Sequence, residues 1–392
     1  MSINHSATSF LELWNEAVAS SEAGEREELI DNGHISARQF MILVTLFAIG
    51  DAILYVPSLT ATAAQQDAWL SALIGWGEGF LLTYLYVSLS MRYPNKSIFQ
   101  YSEDILGKWL GKVVAILFIT YFFIDASLML MEIGDFVTTQ IMQETPIEII
   151  LVLFTVIIVM GVRSGAEAFS RVSELLFPYF LLLFFVLIVF ISPQIKIENV
   201  KPVLAHGMAP VFGGNFRYMG YLLETVILIV MFPLVKRPAS AAKAYILGSL
   251  FSNFFLIMIT AVAILVLGAD ITVLLAYPSY TLAQKISIGN FFERIEVLMA
   301  VIWFITLFVK ITICFYATSR GIANTLGLRD YRQLTFPLGM IMIVVALATM
   351  PNRPYFDTFV SEIWMPYSLT YGLFLPILLL SVGALRRKKT VC

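Results

Sequence analysis

Residues 46–60 read LFAIGDAILYVPSLT, an apolar run broken once by a carboxylate, Asp51. Gly50 stands immediately before the acid and Pro57 six positions after it. Proline removes a backbone donor and clashes with the carbonyl four residues back, so a helix through this stretch is weakened where it carries its charge. A charged group at bilayer depth costs on the order of 2.5–3.5 kcal/mol on insertion scales and normally faces a partner or a cavity. Such an acid in such a run points to a functional break in a membrane helix, provided the rest of the chain belongs in a membrane.

The composition meets that condition. Of 392 residues 59% are hydrophobic and 13% charged, whereas a soluble domain carries about 25% charged residues. Membrane helices need roughly 20 apolar residues each. Ten spans are expected, at about 38–59, 69–91, 113–139, 146–162, 174–192, 216–235, 241–268, 292–318, 333–350 and 363–385. Long continuous runs exclude a β-barrel, whose strands alternate over about ten residues. The chain is therefore read as an all-α integral membrane protein of ten transmembrane helices in the lipid bilayer.

Lys and Arg in the loops set the orientation. With the N-terminus inside, eighteen of the 25 fall on the inner side and six on the outer, leaving Lys310 within a span. Both termini are expected to be cytoplasmic. Residues 1–36 form an acidic tail without the basic start and apolar core of a signal peptide. The membrane domain covers 37–386, and 387–392 form a basic tail. KSIFQYSEDILGKWLGK (96–112) reads as an interfacial helix and 166–176 as a shorter one. Residues 199–215 and 269–290 read as long outer loops.

Chemistry-bearing motifs are missing. No phosphate loop, HExxH or GxSxG sequence occurs. The two Cys and three His lack metal-ligand spacing. No catalytic site, metal, cofactor or nucleic-acid surface is indicated.

The central ionisable residues are Asp51, Glu78, Asp125, Glu224 and Lys310, with Glu132 and Asp135 further along the third span. Broken helices at membrane depth commonly build transporter binding sites. Ala48, Ile49, Gly50 and Asp51 are candidates for an unwound hinge; the competing reading is a kinked continuous helix with Asp51 merely paired. The sixth span, NFRYMGYLLETVILIVMFPLV, repeats the theme with Gly220, Tyr221, Glu224 and Pro233. It runs opposite to the first, as two inverted five-span halves require. Glu224 is either a ligand contact or a structural partner of Lys310. Asp125 has Tyr121 one turn earlier on the same face, forming a cavity-facing pair or a helix–helix contact. Glu78 lies among Gly75, Gly77 and Gly79, which close helix packing explains.

ISARQFMILVTLFAIGDAILYVPSL (35–59), with Gln39, Gly50 and Pro57, resembles the first span of the endospore germination permease family. These are the B-type subunits of spore germinant receptors, within the amino acid–polyamine–organocation superfamily. MAPVFGGNFRYMGYLLETVILIVMFP (208–233) is similar to that family's sixth span, and the likeness covers 35–386. The resemblance implies a leucine-transporter-like five-plus-five inverted repeat with helices 1 and 6 interrupted, near Gly50 and Gly220. It also implies a small-molecule germinant, often an amino acid, held between spans one, three, six and eight. The first-span contacts would be Ile49, Gly50 and Asp51, and the sixth-span contacts Gly220, Tyr221 and Glu224. Asp51 departs from the pattern, since it would repel a ligand carboxylate at the break; an amine-bearing ligand or a protonated Asp51 removes the conflict.

Lys310, in MAVIWFITLFVKITICFYAT (299–318), sits too deep to snorkel to either interface. It is expected to be an internal counter-charge for Asp51, Asp125 or Glu224. In relatives of this fold a buried lysine can stand where a metal cation would otherwise sit; a plain structural salt bridge is the alternative. Two functions remain open. One is a receptor subunit in the spore inner membrane that signals to A-type and C-type partner subunits, and the other is a proton-coupled secondary transporter of amino acids or related solutes. A ligand-free scaffold is disfavoured by the interrupted helices and central charges.

Overall fold

The computed structural model describes residues 33–285, 296–349 and 353–389. The acidic tail up to residue 32, the end of the 269–290 connection, the start of the eighth span and residues 390–392 lie outside the described residues. The described chain is helical, apart from one isolated parallel bridge between Ile35 and Val235. The chain opens with α1 (Ala37–Ile49), α2 (Ala52–Ala64), α3 (Ala68–Ser90), α4 (Ile98–Leu106) and α5 (Lys108–Phe136). Next come α6 (Ile147–Arg163), α7 (Ala166–Ile191) and α8 (Ala209–Leu223), the last continuing as a 3-10 helix over Glu224–Leu234. Then follow α9 (Pro238–Leu267), α10 (Ala269–Leu274), α11 (Pro278–Gln284), α12 (Glu296–Leu326) and α13 (Arg332–Thr349). The last span threads α14 (Arg353–Thr358), α15 (Met365–Leu369) and α16 (Leu375–Lys389) through two π-helical turns.

Eight helical stretches among the described residues are long and apolar enough to cross a membrane. The count stops short of ten for local reasons. A break at Gly50 leaves α1 with 13 residues, a 3-10 turn at Gln65–Asp67 joins α2 to α3 as one stretch, and α6 has 17. Outward faces carry Leu81, Phe185 and Met340 at about two-thirds exposure, as lipid-facing surfaces do.

Local sequence explains the boundaries. Ser36 and Gln39 form a reciprocal capping box at the start of α1, and Gln39 Nε2 also donates to Glu174 of α7 at 3.0 Å. Ser97 and Gln100 cap α4 in the same way, and α4 ends at Gly107 with φ +88°. The 96–112 segment therefore splits into a short helix and the start of the third span. Residues 166–176 are not a separate interfacial helix, because α7 runs unbroken from Ala166 through Pro178 to Ile191. The two long loops are partly helical too: α8 begins at Ala209, and α10 and α11 occupy the 269–290 connection.

Helices α1 and α3 both pack against α9, α2 and α3 against α8, and α5 and α7 against α12. This brings the first, sixth and eighth spans together at the centre. One close crossing is α1 on α9, where a Cβ added to Gly248 would stand 2.7 Å from both the Met41 carbonyl oxygen and Val44 Cβ. Backbone cannot retreat from such a clash. Gly248→Ala is expected to cost about 1–3 kcal/mol by overpacking, seen as a lower melting temperature of the purified protein. Gly77→Ala in α3, where a Cβ meets nothing within 4 Å, should leave that temperature unchanged or slightly raised. Equal losses in the two variants would contradict the crossing.

Candidate functional site

The first span breaks at Gly50, whose φ of +25° and ψ of −122° end α1 before Asp51 starts α2. Only glycine fits there. Besides the backbone angle, a Cβ would collide with Lys310 Cδ and lie 2.7 Å from the Phe47 carbonyl oxygen. Side chains take up the hydrogen bonds that the break releases. Thr306 of α12 donates to the Gly50 carbonyl at 3.0 Å. Pro57 deprives the Ile53 carbonyl of its helical donor, and Ser279 of α11 supplies one at 2.6 Å.

The sixth span changes character four residues later than the sequence placed it, at Glu224 instead of Gly220. Gly220 is inside α8, where its small size admits Trp364 and Met365; a Cβ there would sit 3.3 Å from Trp364 Cδ1. From Glu224 onward the helix tightens to 3-10, and side chains again cover the loosened carbonyls. Thr225 donates to Leu222 O at 2.6 Å, Tyr86 to Leu223 O at 3.4 Å, and Tyr245 to Thr225 O.

Lys310 stands between the two breaks. Its Nζ donates to Asp51 Oδ1 and to Glu224 Oε2, with Lys310 and Glu224 each only 1% exposed and Asp51 4%. Glu224 Oε1 also accepts from the Trp364 indole. The ammonium faces the rings of Phe47 and Tyr221, at 5.4 and 5.8 Å from their centroids. One cation thus bridges the first and sixth spans from the eighth.

Beside this bridge lies a small chamber lined by Asp51, Asp125, Leu128, Met129, Glu132, Tyr221, Glu224, Phe356, Val360 and Trp364. Its free space is about 10 Å³, enough for one water molecule at most. Asp51, Asp125 and Glu224 meet there around Lys310, so among these described residues the acids outnumber the base. Asp125 accepts a weak bond from Cys314 Sγ at 3.4 Å. Glu132, one helical face down from Asp125, reaches the chamber, whereas Asp135 accepts from Tyr277 elsewhere.

The other candidates sit at its margin. Tyr121 lies one layer behind, donating to Ser368 at 3.0 Å and stacking on Tyr371 at 4.5 Å and Trp364 at 5.7 Å between centroids. Ile49 is packed in the core. Glu78 is apart from the chamber, on the face of α3 near Asn215. Sequence reasoning left out Trp364 and Thr306. Thr306, one turn before Lys310, could have been noticed; nothing local distinguishes Trp364.

The chain as a whole has counterparts among known proteins. A family model described as spore germination protein matches residues 34–354. The chain belongs to this family. Among its relatives in Bacillus subtilis (strain 168), spore germination protein KB is 28% identical over 92% of this chain and 97% of its own length. Spore germination protein A2 is 27% identical over 90% of this chain and 96% of its own. Among solved structures, the nucleobase-cation-symport-1 family transporter MHP1 superposes with TM-score 0.65 at 11% identity, covering 86% of this chain and 76% of that one. MhsT, in complex with L-phenylalanine, gives 0.59 at 13% identity over 90% and 99%. This spore germination protein therefore has the leucine-transporter-like fold, with its two interrupted helices meeting at the centre.

Removing one member of a buried charge pair typically costs about 3–5 kcal/mol, because the remaining charge stays buried; removing all members is milder. In this spore germination protein Lys310→Met should lower stability by that order in thermal or denaturant unfolding. Adding Asp51→Asn and Glu224→Gln should recover part of the loss. A Lys310→Met protein as stable as the parent would show that the bridge carries no net energy.

Proposed function

We propose that this chain is the membrane-embedded subunit of a spore germinant receptor that binds a small nutrient germinant in the central chamber. The observation that carries this reading is the excess of carboxylates over Lys310 where two helices are interrupted. Such a site favours a ligand with a positive charge, and the ammonium of an amino acid supplies one while leaving Asp51 ionised. Asp51, Asp125 and Glu224 then contact the ligand, with Tyr221 as one wall. Lys310 serves as a tethered cation that holds Asp51 and Glu224 in place without a bound metal.

The closed chamber needs to expand before an amino acid fits. Ligand binding can then shift the protein between two packings of the first, sixth and last spans, since a ligand moves such an equilibrium only by binding one state better. The shift is passed to A-type and C-type partner subunits in the spore inner membrane, with both termini of this chain in the cytoplasm and no chemical reaction catalysed. The relatives' names support the germination role. The likeness to transporters favours one other reading, proton-coupled uptake through the same chamber.

Spores carrying Asp51→Ala or Asp125→Asn should need at least tenfold more germinant for the same response, with the protein present at parental levels on an immunoblot. Unchanged sensitivity in both would remove the chamber from ligand binding. Steady accumulation of an amino acid by proteoliposomes containing the purified chain would favour the transporter.

A further inference from the structure

A second, larger cavity of about 370 Å³ adjoins the chamber on the side away from Ser36. The two share Tyr221, Phe356 and Val360, which form the partition between them. We propose that this vestibule is the access site of the chamber and selects ligands that bear a carboxylate, with Arg217 as the carboxylate's partner. The inference rests on the chamber being the germinant site and adds the ligand's second charged group to it.

Arg217 is the one charged side chain among the described residues that line the vestibule. No hydrogen bond or ion pair joins it to any described residue. Its helix, α8, turns Phe212 and Phe216 outward at 55% and 52% exposure, whereas Arg217 and Tyr221 share the cavity face, one turn apart. Arg217 is partly buried beside Tyr55, Ser58 and Thr62 of α2, and no anion is paired with it among the described residues. A guanidinium stays charged at all working pH values, and its planar fork matches a carboxylate in two parallel hydrogen bonds.

The charges are ordered along the helix. Arg217, Tyr221 and Glu224 follow at i, i+4 and i+7, so the cation sits at the vestibule and the acids lie beyond the tyrosine. The rise along the helix separates Arg217 from Glu224 by about 10 Å. An α-amino acid carries its two charges on neighbouring carbons, closer together than these two positions on the helix. It docks first, with its carboxylate on Arg217 and its ammonium toward the Tyr221 ring and the acids behind it. It enters the chamber, ammonium leading, when the partition opens. A simple amine is drawn by the acids but repelled by Arg217, and an uncharged sugar engages neither group.

The test uses the full chain in lipid nanodiscs and three matched pairs: L-alanine with ethylamine, L-valine with isobutylamine, and L-phenylalanine with phenethylamine. Glucose and inosine serve as uncharged probes, and dissociation constants come from thermal-shift titration. At least one amino acid should bind tenfold or more tightly than its amine. Arg217→Gln should bring that ratio close to one, and Arg217→Lys should keep most of it. If amino acids bind the parent protein but every amine binds it as well as its amino acid does, or if the ratio is unchanged by Arg217→Gln, the inference is overturned. If amino-acid binding is lost with Asp125→Asn while Arg217→Gln leaves both amino-acid affinity and the ratio unchanged, the chamber reading stands and only the vestibule assignment falls. If no amino acid in the panel binds the parent protein, both fall.

Discussion

The ammonium of Lys310, held between Asp51 and Glu224 in the buried centre of the bundle, is the contact on which the rest depends. Each carboxylate lies at the point where its helix is interrupted, and the lysine comes from a third span that is continuous. Without the cation, two buried negative charges would face each other across the interface of the first and sixth spans. With it, the repulsion becomes a tie that sets the spacing of the two breaks. Gly50 follows from the same contact, since the lysine stem occupies the space that any side chain at position 50 would need.

Interrupting a helix inside a membrane releases backbone groups that no solvent can satisfy. Here side chains from distant helices meet the demand: Thr306 for Gly50, Ser279 for Ile53, and Tyr86 and Tyr245 around Glu224. These hydroxyls fix the broken segments against the unbroken ones. The breaks are thus held in shape by the scaffold, and the charges they present keep a defined geometry while the chamber itself stays nearly closed.

The last span has a different construction. Two π-helical turns, at 359–364 and 370–374, flank α15, and such turns are frequent at functional sites. Trp364, within the first of them, bonds to Glu224, and Phe356 and Val360 nearby close the partition below the vestibule. The same span thus both borders the acids' chamber and hydrogen-bonds one of them.

The sequence by itself determined the membrane setting, the helical class and the break of the first span, because these depend on composition and on Gly50 and Pro57, whose effects are local. It also required Lys310 to have an acidic neighbour, since a charge that deep must be compensated. It placed the change in the sixth span at Gly220, where glycine suggested weakness. The structure put it at Glu224, because Gly220 is needed as a small residue against Trp364 and Met365. Likewise 166–176 looked interfacial from its polar residues, yet it continues as α7, because helices join across a weak polar stretch when packing holds both sides. Which acids Lys310 meets, that Glu132 shares their chamber while Asp135 bonds to Tyr277, and that Trp364 caps Glu224 were decided only by tertiary structure. Those contacts join residues 86 to 259 positions apart, or select among neighbours on one helix by its rotation, and neither long-range pairing nor helix rotation is written in a local pattern.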